Sequence, residues 1–496
     1  MLHVDLHRFF RFDEGKSRNC CYGQSIAAWA ILLLSLLFAL SANAQDFDRF
    51  FTERTMRIDY FHTGTASEEI FSIDQVYEEG DWPGSRVSLI DTMNLGHYLF
   101  KVIDIRTNQL IYSRGYSTIF GEWQTTSEAH NGIYRTMHET IRFPFPQNRV
   151  QVTISVRDKH NVFVEKFSTV IDPHSRFVNR EQKRFPYKTQ VFLNNGDPGQ
   201  KIDLVILGDG YSKKELKKFK ADVKRYIDDL FGVEPFKSHQ KDFNVRAIQV
   251  YSQDSGIDEP RKNKWKDTAL GTSYNSLDSP RYILSLENRA IRDIAGTVPY
   301  DYIYILVNSP RYGGGGIFNW FATCYTGSQN GEPDWWSDYV FVHEFGHSFA
   351  GLGDEYYSSS VSYNDFYSRD TEPWEPNITA LLDKNNIKWG HLIKEGTPIP
   401  TPWEKAQYDS LSAVLRALDR SAPDYRSKAD ALYEKMSALL KSSKYAGKVG
   451  CFEGAGYVST GLYRPFIDCR MFSKSLVDFC PVCNEAIVRM INFLIQ

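Results

Sequence analysis

Short runs of alternating apolar and polar side chains fill residues 46–172: TMRIDYFHTG, HYLFKVIDI, RVQVTISVRD and NVFVEKFSTVI, separated by Gly, Asn and Asp turns. A period of two sends successive side chains to opposite faces of a strand, so the pattern predicts an antiparallel β-sandwich. No catalytic constellation occurs in it. The basic, polar stretch HSRFVNREQKRFPYK (174–188) then reads as a linker.

Beyond the linker the pattern changes. IDLVILGDGY (202–211), FNVRAIQVYS (243–252) and YDYIYILVN (300–308) read as buried strands, and KKELKKFKADVKRYIDDLF and SPRYILSLENRAIRDIA (279–295) as helices. Strands alternating with helices predict an α/β domain built on a mixed twisted sheet. The LGDGYS turn lacks the glycine spacing and Lys-Ser/Thr ending of a phosphate loop and reads as a plain tight turn. In YGGGGIFNWFATCYTG (312–327) four glycines open an apolar strand. Backbone there either bends or approaches a ligand closely, or it forms a loop before an ordinary edge strand. In DYVFVHEFGHSFAG (338–351), Phe341, Phe345 and Phe349 share one helical face, and Gly351 suits the helix C-terminus. Residues 404–443 predict two surface helices inserted before the C-terminal segment. The expected organisation is multidomain, with a β-sandwich at 45–173, the linker, and an α/β domain at 189–496.

Composition narrows the class. The chain has 496 residues, 42% hydrophobic and 24% charged, which is an ordered globular balance. With 58 basic and 61 acidic side chains the formal charge is −3, which gives no reason to expect a nucleic-acid partner. The run IAAWAILLLSLLFAL (26–40) followed by SANAQ reads as a signal peptide, residues 1–44, cleaved after Ala44. It is short for a membrane span, which needs about 20 apolar residues, and a retained anchor is the alternative. The expectation is therefore an exported protein, periplasmic, cell-surface or secreted, with no integral span in the mature chain.

Export changes how the cysteines read. Cys324, Cys451, Cys469, Cys480 and Cys483 remain after residue 44, four of them near the C-terminus, and predict one or two disulfides with one thiol left over. A four-cysteine zinc site is disfavoured because CPVC (480–483) is the single CxxC pair.

The chemistry concentrates in HEFGHSFAGLGDEYY (343–357). In HExxH the two histidines lie one turn apart on a helix, so His343 and His347 can ligate one Zn²⁺, while Glu344 reaches the activated water as general base. A catalytic zinc needs a third protein ligand. Gly351 sends the chain back towards the metal, which makes Asp354 the leading candidate. Glu355 is its rival, and Glu372 or Glu375 would be ligands from a more distant segment. The bland alternative is a histidine pair on an ordinary amphipathic helix.

The same stretch resembles the active-site motif of the IgA-peptidase family of exported zinc metallopeptidases, relatives of the metzincins, whose pattern is HExxHxxxGxxD. Gly351 and Asp354 match its glycine and aspartate, and Gly353 stands where metzincins carry a histidine. PNIT with IKW…GTPIPTP (376–402) and FEGAGYVSTGLYRPFIDCRMFS…FCPVCNEA (452–486) extend the likeness across nearly all of the mature chain. The resemblance implies a metzincin-like fold in which Met471 forms a tight turn beneath the zinc. It also implies that GIFNWFATCY supplies an edge strand, with Ile317, Phe318, Asn319 and Trp320 pairing with extended substrate. Tyr457 and Tyr463, near that turn, are candidate oxyanion donors or simply core. The place of the 404–443 helices in the family pattern is open.

The leading expectation is a zinc endopeptidase acting on extracellular protein or glycoprotein. The alternatives are an inactive peptidase-like surface protein that binds glycans or proteins through Trp335, Trp336 and Trp374, and a zinc hydrolase of non-peptide amides. The NIT triplet at 377–379 fits a glycosylation acceptor or a capped turn.

Overall fold

A computed structural model describes residues 47–327, 334–357, 366–420 and 422–496. The apolar run 26–40 and its cleavage site lie outside these residues.

The N-terminal half is two four-stranded sheets. Strands β1 (Phe51–Gly64), β2 (Glu69–Asp81), β5 (Arg135–Pro146) and β8 (Val178–Asn179) form one, in the order β5-β1-β2-β8. Strands β3 (Tyr98–Asp104), β4 (Gln109–Tyr116), β6 (Val150–Arg157) and β7 (Phe163–Ile171) form the other, in the order β4-β3-β6-β7. Aromatic side chains close the space between them: Phe143 of β5 meets Phe100 and Tyr112, and Phe71 of β2 meets Phe167. The Tyr60 and Tyr116 hydroxyls share a buried 2.9 Å hydrogen bond across the gap. The alternation in the sequence thus produces two facing sheets. The stretch 174–188 is pinned in part, since β8 pairs with β2.

The second half is a six-stranded mixed sheet of order β15-β16-β14-β10-β11-β9. Its central strands β10 (Ile202–Asp209), β11 (Phe243–Ile248), β14 (Tyr302–Val307) and β16 (Phe321–Tyr325) run parallel, and β9 (Thr189–Leu193) and β15 (Gly314–Ile317) close the edges antiparallel. β10 and β14 are buried at every residue, which explains their unbroken apolar runs. After β10, Gly210 turns at φ 68, and the buried Asp209 carboxylate accepts from Leu270 N, Thr272 N and the Thr272 hydroxyl. The LGDGYS turn, expected only as a tight turn, also anchors the loop at 270–272 through Asp209.

Two expectations change here. The helix expected over 279–295 is confined to Asn288–Ala295, because residues 281–283 hydrogen-bond across to Gly314 on the sheet edge instead. The strand expected through GIFNWFATCY is a hairpin. β15 ends at Ile317, and Phe318, Asn319 and Trp320 form the turn into β16, with Asn319 at φ 53. That turn is tied to the N-terminal half, since Ser117 N donates to Phe318 O and Asn319 Nδ2 to Gly115 O.

The glycines of β15 answer to packing. A Cβ on Gly316 would stand 2.3 Å from the Glu344 carbonyl oxygen, and one on Gly314 would stand 2.7 Å from Val340. The strand therefore lies directly on the helix Trp335–Ala350, which carries the HExxH motif. That helix starts at Trp335 behind an Asp334 cap, three residues before the expected Asp338. Its phenylalanine face packs on the sheet and on the helix Leu216–Leu230: Phe341 stacks on Tyr304 of the sheet and Tyr226 of that helix, and Phe349 meets Tyr302 and Phe243. The 404–443 segment forms two helices, Lys405–Ala417 and Tyr425–Ser442. The second covers the start of the motif helix, with Arg426 over the Trp336 ring and Tyr433 against its edge. Trp336 is thereby buried, which removes it from any exposed binding surface.

Candidate active site and metal centre

Gly351 ends the motif helix at φ 62, and its N–H bonds back to His347 O. The chain then doubles back under the helix through Leu352 and Gly353. Asn377 clamps this return on both sides, accepting from Gly353 N at 2.7 Å and donating to Gly353 O at 2.9 Å. Asn377 is fully buried in this role, so the NIT triplet is a clamp and not an accessible glycosylation acceptor.

The return delivers Asp354 to the histidines. His343 Nε2 and His347 Nε2 are 3.1 Å apart, and Asp354 Oδ1 lies 3.0 Å from the first and 3.2 Å from the second. The tautomers follow from the other ring nitrogens. His343 Nδ1 lies 3.0 Å from the Arg470 carbonyl and His347 Nδ1 2.5 Å from the Leu352 carbonyl. A carbonyl oxygen can only accept, so both Nδ1 atoms carry the proton and both Nε2 atoms present a lone pair. Two lone pairs and a buried carboxylate oxygen converging at about 3 Å repel one another unless a positive charge sits between them. Asp354 Oδ1 has no hydrogen-bond donor of its own. Without a metal ion a proton on His347 Nε2 meets that need: burial opposes it, but the Asp354 and Glu344 carboxylates outweigh burial and lift the His347 pKa to about 9, and a bound metal ion would take that proton's place. Burial likewise disfavours the Asp354 charge, and the histidines outweigh it and hold the carboxyl well below its usual range. The triangle is a group that could hold a metal ion, and its two-imidazole, one-carboxylate donor set suits Zn²⁺.

The remaining predicted residues separate cleanly. Glu344 projects from the same helix into the cleft, 8% exposed. Burial raises its pKa, an effect that the two histidines partly offset. Met471 is fully buried beneath the helix, its Sδ within 3.1 Å of where a Cβ on Gly346 would stand. It sits in a tight turn closed by Phe472 N donating to Cys469 O. Glu355 points away from the histidines, towards three cysteines. Glu372 caps a loop by accepting from the Thr379 hydroxyl and from Ala380 N and Leu382 N, while Glu375 accepts from Tyr367; neither joins the triangle.

The tyrosines differ from expectation. The Tyr457 hydroxyl donates to Asp354 Oδ2 at 2.6 Å, so it orients the carboxylate and its proton is committed there. Tyr463 lies in β18 (Val458–Arg464), paired through its backbone to Thr379, outside the residues that line the cleft. Tyr457→Phe is expected to weaken metal binding by about 10–100-fold, the usual effect of removing a partner that orients a ligand. Competition with a chelating dye measures this, and an unchanged affinity would show that Asp354 needs no such support.

The cleft above the triangle has a volume of about 350 Å³. Its lining includes Gly316 and Ile317 of the sheet edge together with Tyr356 and Tyr457. Arg281 donates to the Tyr356 hydroxyl at 3.0 Å. The N-terminal half supplies a further wall through His97, Glu122 and Arg157. Asn161 Nδ2 donates to Glu372 O, and Thr371 donates to Lys159 O, which joins the two halves at the cleft rim. Sequence reasoning missed Arg281, Tyr356 and this wall. Their positions depend on chain segments far apart in sequence, and no local spacing marks them.

Two family models match in chain order: the Peptidase M64 N-terminus over residues 46–168 and IgA Peptidase M64 over residues 191–491. This chain belongs to the IgA peptidase M64 family. It is accordingly a peptidase of a metallopeptidase family, with protein as substrate. No curated protein matches it. Among the described residues, no helix is long and apolar enough to cross a membrane.

Proposed function

We propose that this M64 peptidase is an exported, metzincin-like zinc endopeptidase that cleaves extracellular protein or glycoprotein. In this reading residues 1–44 are removed near Ala44, 45–173 and 189–496 are its two domains, and His343, His347 and Asp354 hold zinc. The observation that carries it is the convergence of both Nε2 lone pairs and Asp354 Oδ1, with Glu344 beside them in an open cleft. Zinc bound there would supply Lewis acidity and render water acidic enough to attack near neutral pH. Glu344 takes the proton of the attacking water and passes it to the leaving amine nitrogen. The Tyr356 hydroxyl, held by Arg281, replaces Tyr457 as the group placed to donate to the developing oxyanion. Extended substrate would lie along the sheet edge at Gly316 and Ile317, because Phe318, Asn319 and Trp320 are in the turn. Met471 would serve as the apolar floor that fixes the motif helix. The family name carries no implication of immunoglobulin specificity, since selectivity resides in the cleft walls.

A chelator is expected to abolish digestion of an unfolded protein substrate, and stoichiometric zinc to restore it. Undiminished cleavage after complete metal removal would contradict the reading. The pH profile gives an independent check. Glu344 works as the carboxylate, and burial raises its pKa above the ordinary 4.5. Activity should therefore be present above that raised value and fall as pH drops through it. An acid limit in kcat/KM below pH 4.5 would show that a burial-raised Glu344 does not set the acid limb.

A further inference from the structure

The three cysteines that the active site does not use converge on one carboxylate. Cys469, Cys480 and Cys483 are all buried, none is in a disulfide, and their sulfurs lie with a Glu355 oxygen so that all four atoms are within 4.8 Å of one another. Cys469 Sγ and Cys483 Sγ are 3.8 Å apart, and Cys483 Sγ is 3.2 Å from Glu355 Oε1. Tetrahedral zinc with Zn–S bonds of about 2.3 Å holds its sulfurs about 3.8 Å apart, the spacing seen here. Backbone N–H groups point at the sulfurs as they do around thiolates: Cys480 N donates to Cys469 Sγ and Cys483 N to Cys480 Sγ. Cys480 also caps the helix Pro481–Leu494, whose positive end favours a thiolate.

Glu355 is the independent sign of a ligand. It is fully buried, and its Oε2 has no hydrogen-bond partner. No lysine or arginine ion-pairs with it among the described residues. Arg464, whose field reaches it, directs Nη1 and Nη2 to the carbonyls of Glu453, Gly454 and Ile467 and makes no ion pair with it. The sequence predicts one or two disulfides among Cys324, Cys451, Cys469, Cys480 and Cys483, whereas all five are free, and the arrangement of these three does not suit a disulfide. Three thiols cannot pair off, and any one disulfide would leave the third thiol and a buried carboxylate without a counter-charge.

We propose that Cys469, Cys480, Cys483 and Glu355 form a second, structural zinc site. The CxxC pair is completed by a cysteine from the Met471 turn and by the residue after the catalytic ligand Asp354. Such a closed four-ligand set leaves no open position, which suits a structural site. Binding releases the thiol protons to solvent, and the ion ties three segments together. These are the Asp354–Glu355 return, the turn at Cys469–Phe472 and the C-terminal helix. Glu355 N already donates to Met471 O at 2.9 Å, so the return and the turn are in contact where the ion would lock them.

The test uses the mature chain purified without reductant. The His343→Ala, His347→Ala double variant is expected to retain about one zinc per chain. X-ray absorption at the zinc edge should show mainly sulfur neighbours, and cobalt replacement should give intense thiolate-to-metal charge-transfer absorption. Because this variant disables the proposed catalytic site, the result does not depend on that reading. Cys480→Ser with Cys483→Ser should lose the sulfur-bound zinc. If that variant fails to fold, the absorption spectrum of the histidine variant still decides. Absence of zinc from the histidine variant, zinc with only nitrogen and oxygen neighbours, or a disulfide mapped among the three cysteines of the native chain would overturn the proposal.

Discussion

Glu344→Gln is expected to lower kcat/KM on a protein substrate by on the order of 10³-fold while leaving zinc content unchanged. Glutamine keeps the size and one oxygen of the side chain but cannot accept a proton. Glu344 is outside the triangle of ligand atoms, so the metal loses no partner. Its backbone carbonyl also faces Gly316, and that contact is untouched by a change at the carboxyl group. The measured split should be a loss in kcat with zinc near stoichiometric. A variant that sheds its zinc would mean that Glu344 ligates the metal, and one that cleaves at the parent rate would remove it from the mechanism.

Asp354→Ala is expected to act in the opposite order, through the metal first. The side chain supplies one of three converging atoms, and a catalytic zinc with two protein ligands is weakly held. Affinity should fall by more than the roughly 10–100-fold that follows loss of a mere orienting partner. Activity should return in part at high added zinc. The variant also frees the Tyr457 hydroxyl and leaves Asn377 clamping an intact return, so the fold should persist. Undiminished affinity would transfer the ligand role elsewhere.

The sequence made the motif helix legible because its chemistry is local. His343, Glu344 and His347 are set by the helical period, Gly351 by its left-handed turn, and Asp354 by the few residues that a reversed chain needs to come back beneath the two histidines. The sandwich was legible for the same reason, since strand alternation is a local pattern. What escaped is non-local. The 279–287 stretch has helical spacing, yet its backbone bonds to Gly314 instead. The hairpin turn at Phe318–Trp320 depends on Gly115 and Ser117 of the other half of the molecule. Tyr457 lies 103 residues from the carboxylate that it orients, and Glu355 reaches a cysteine 128 residues away. An exported chain's cysteines read as disulfides, and no rule of spacing joins CPVC to Glu355, the neighbour of Asp354.

Anomalous diffraction at the zinc absorption edge on crystals of Glu344→Gln locates the proposed ion and its ligands. The ion is expected to be bonded to His343 Nε2, His347 Nε2 and Asp354 Oδ1, with Tyr457 still on Asp354 Oδ2. An ion at the histidines with Asp354 turned away, or with Glu355, Glu372 or Glu375 as its carboxylate ligand, would contradict that ligand set.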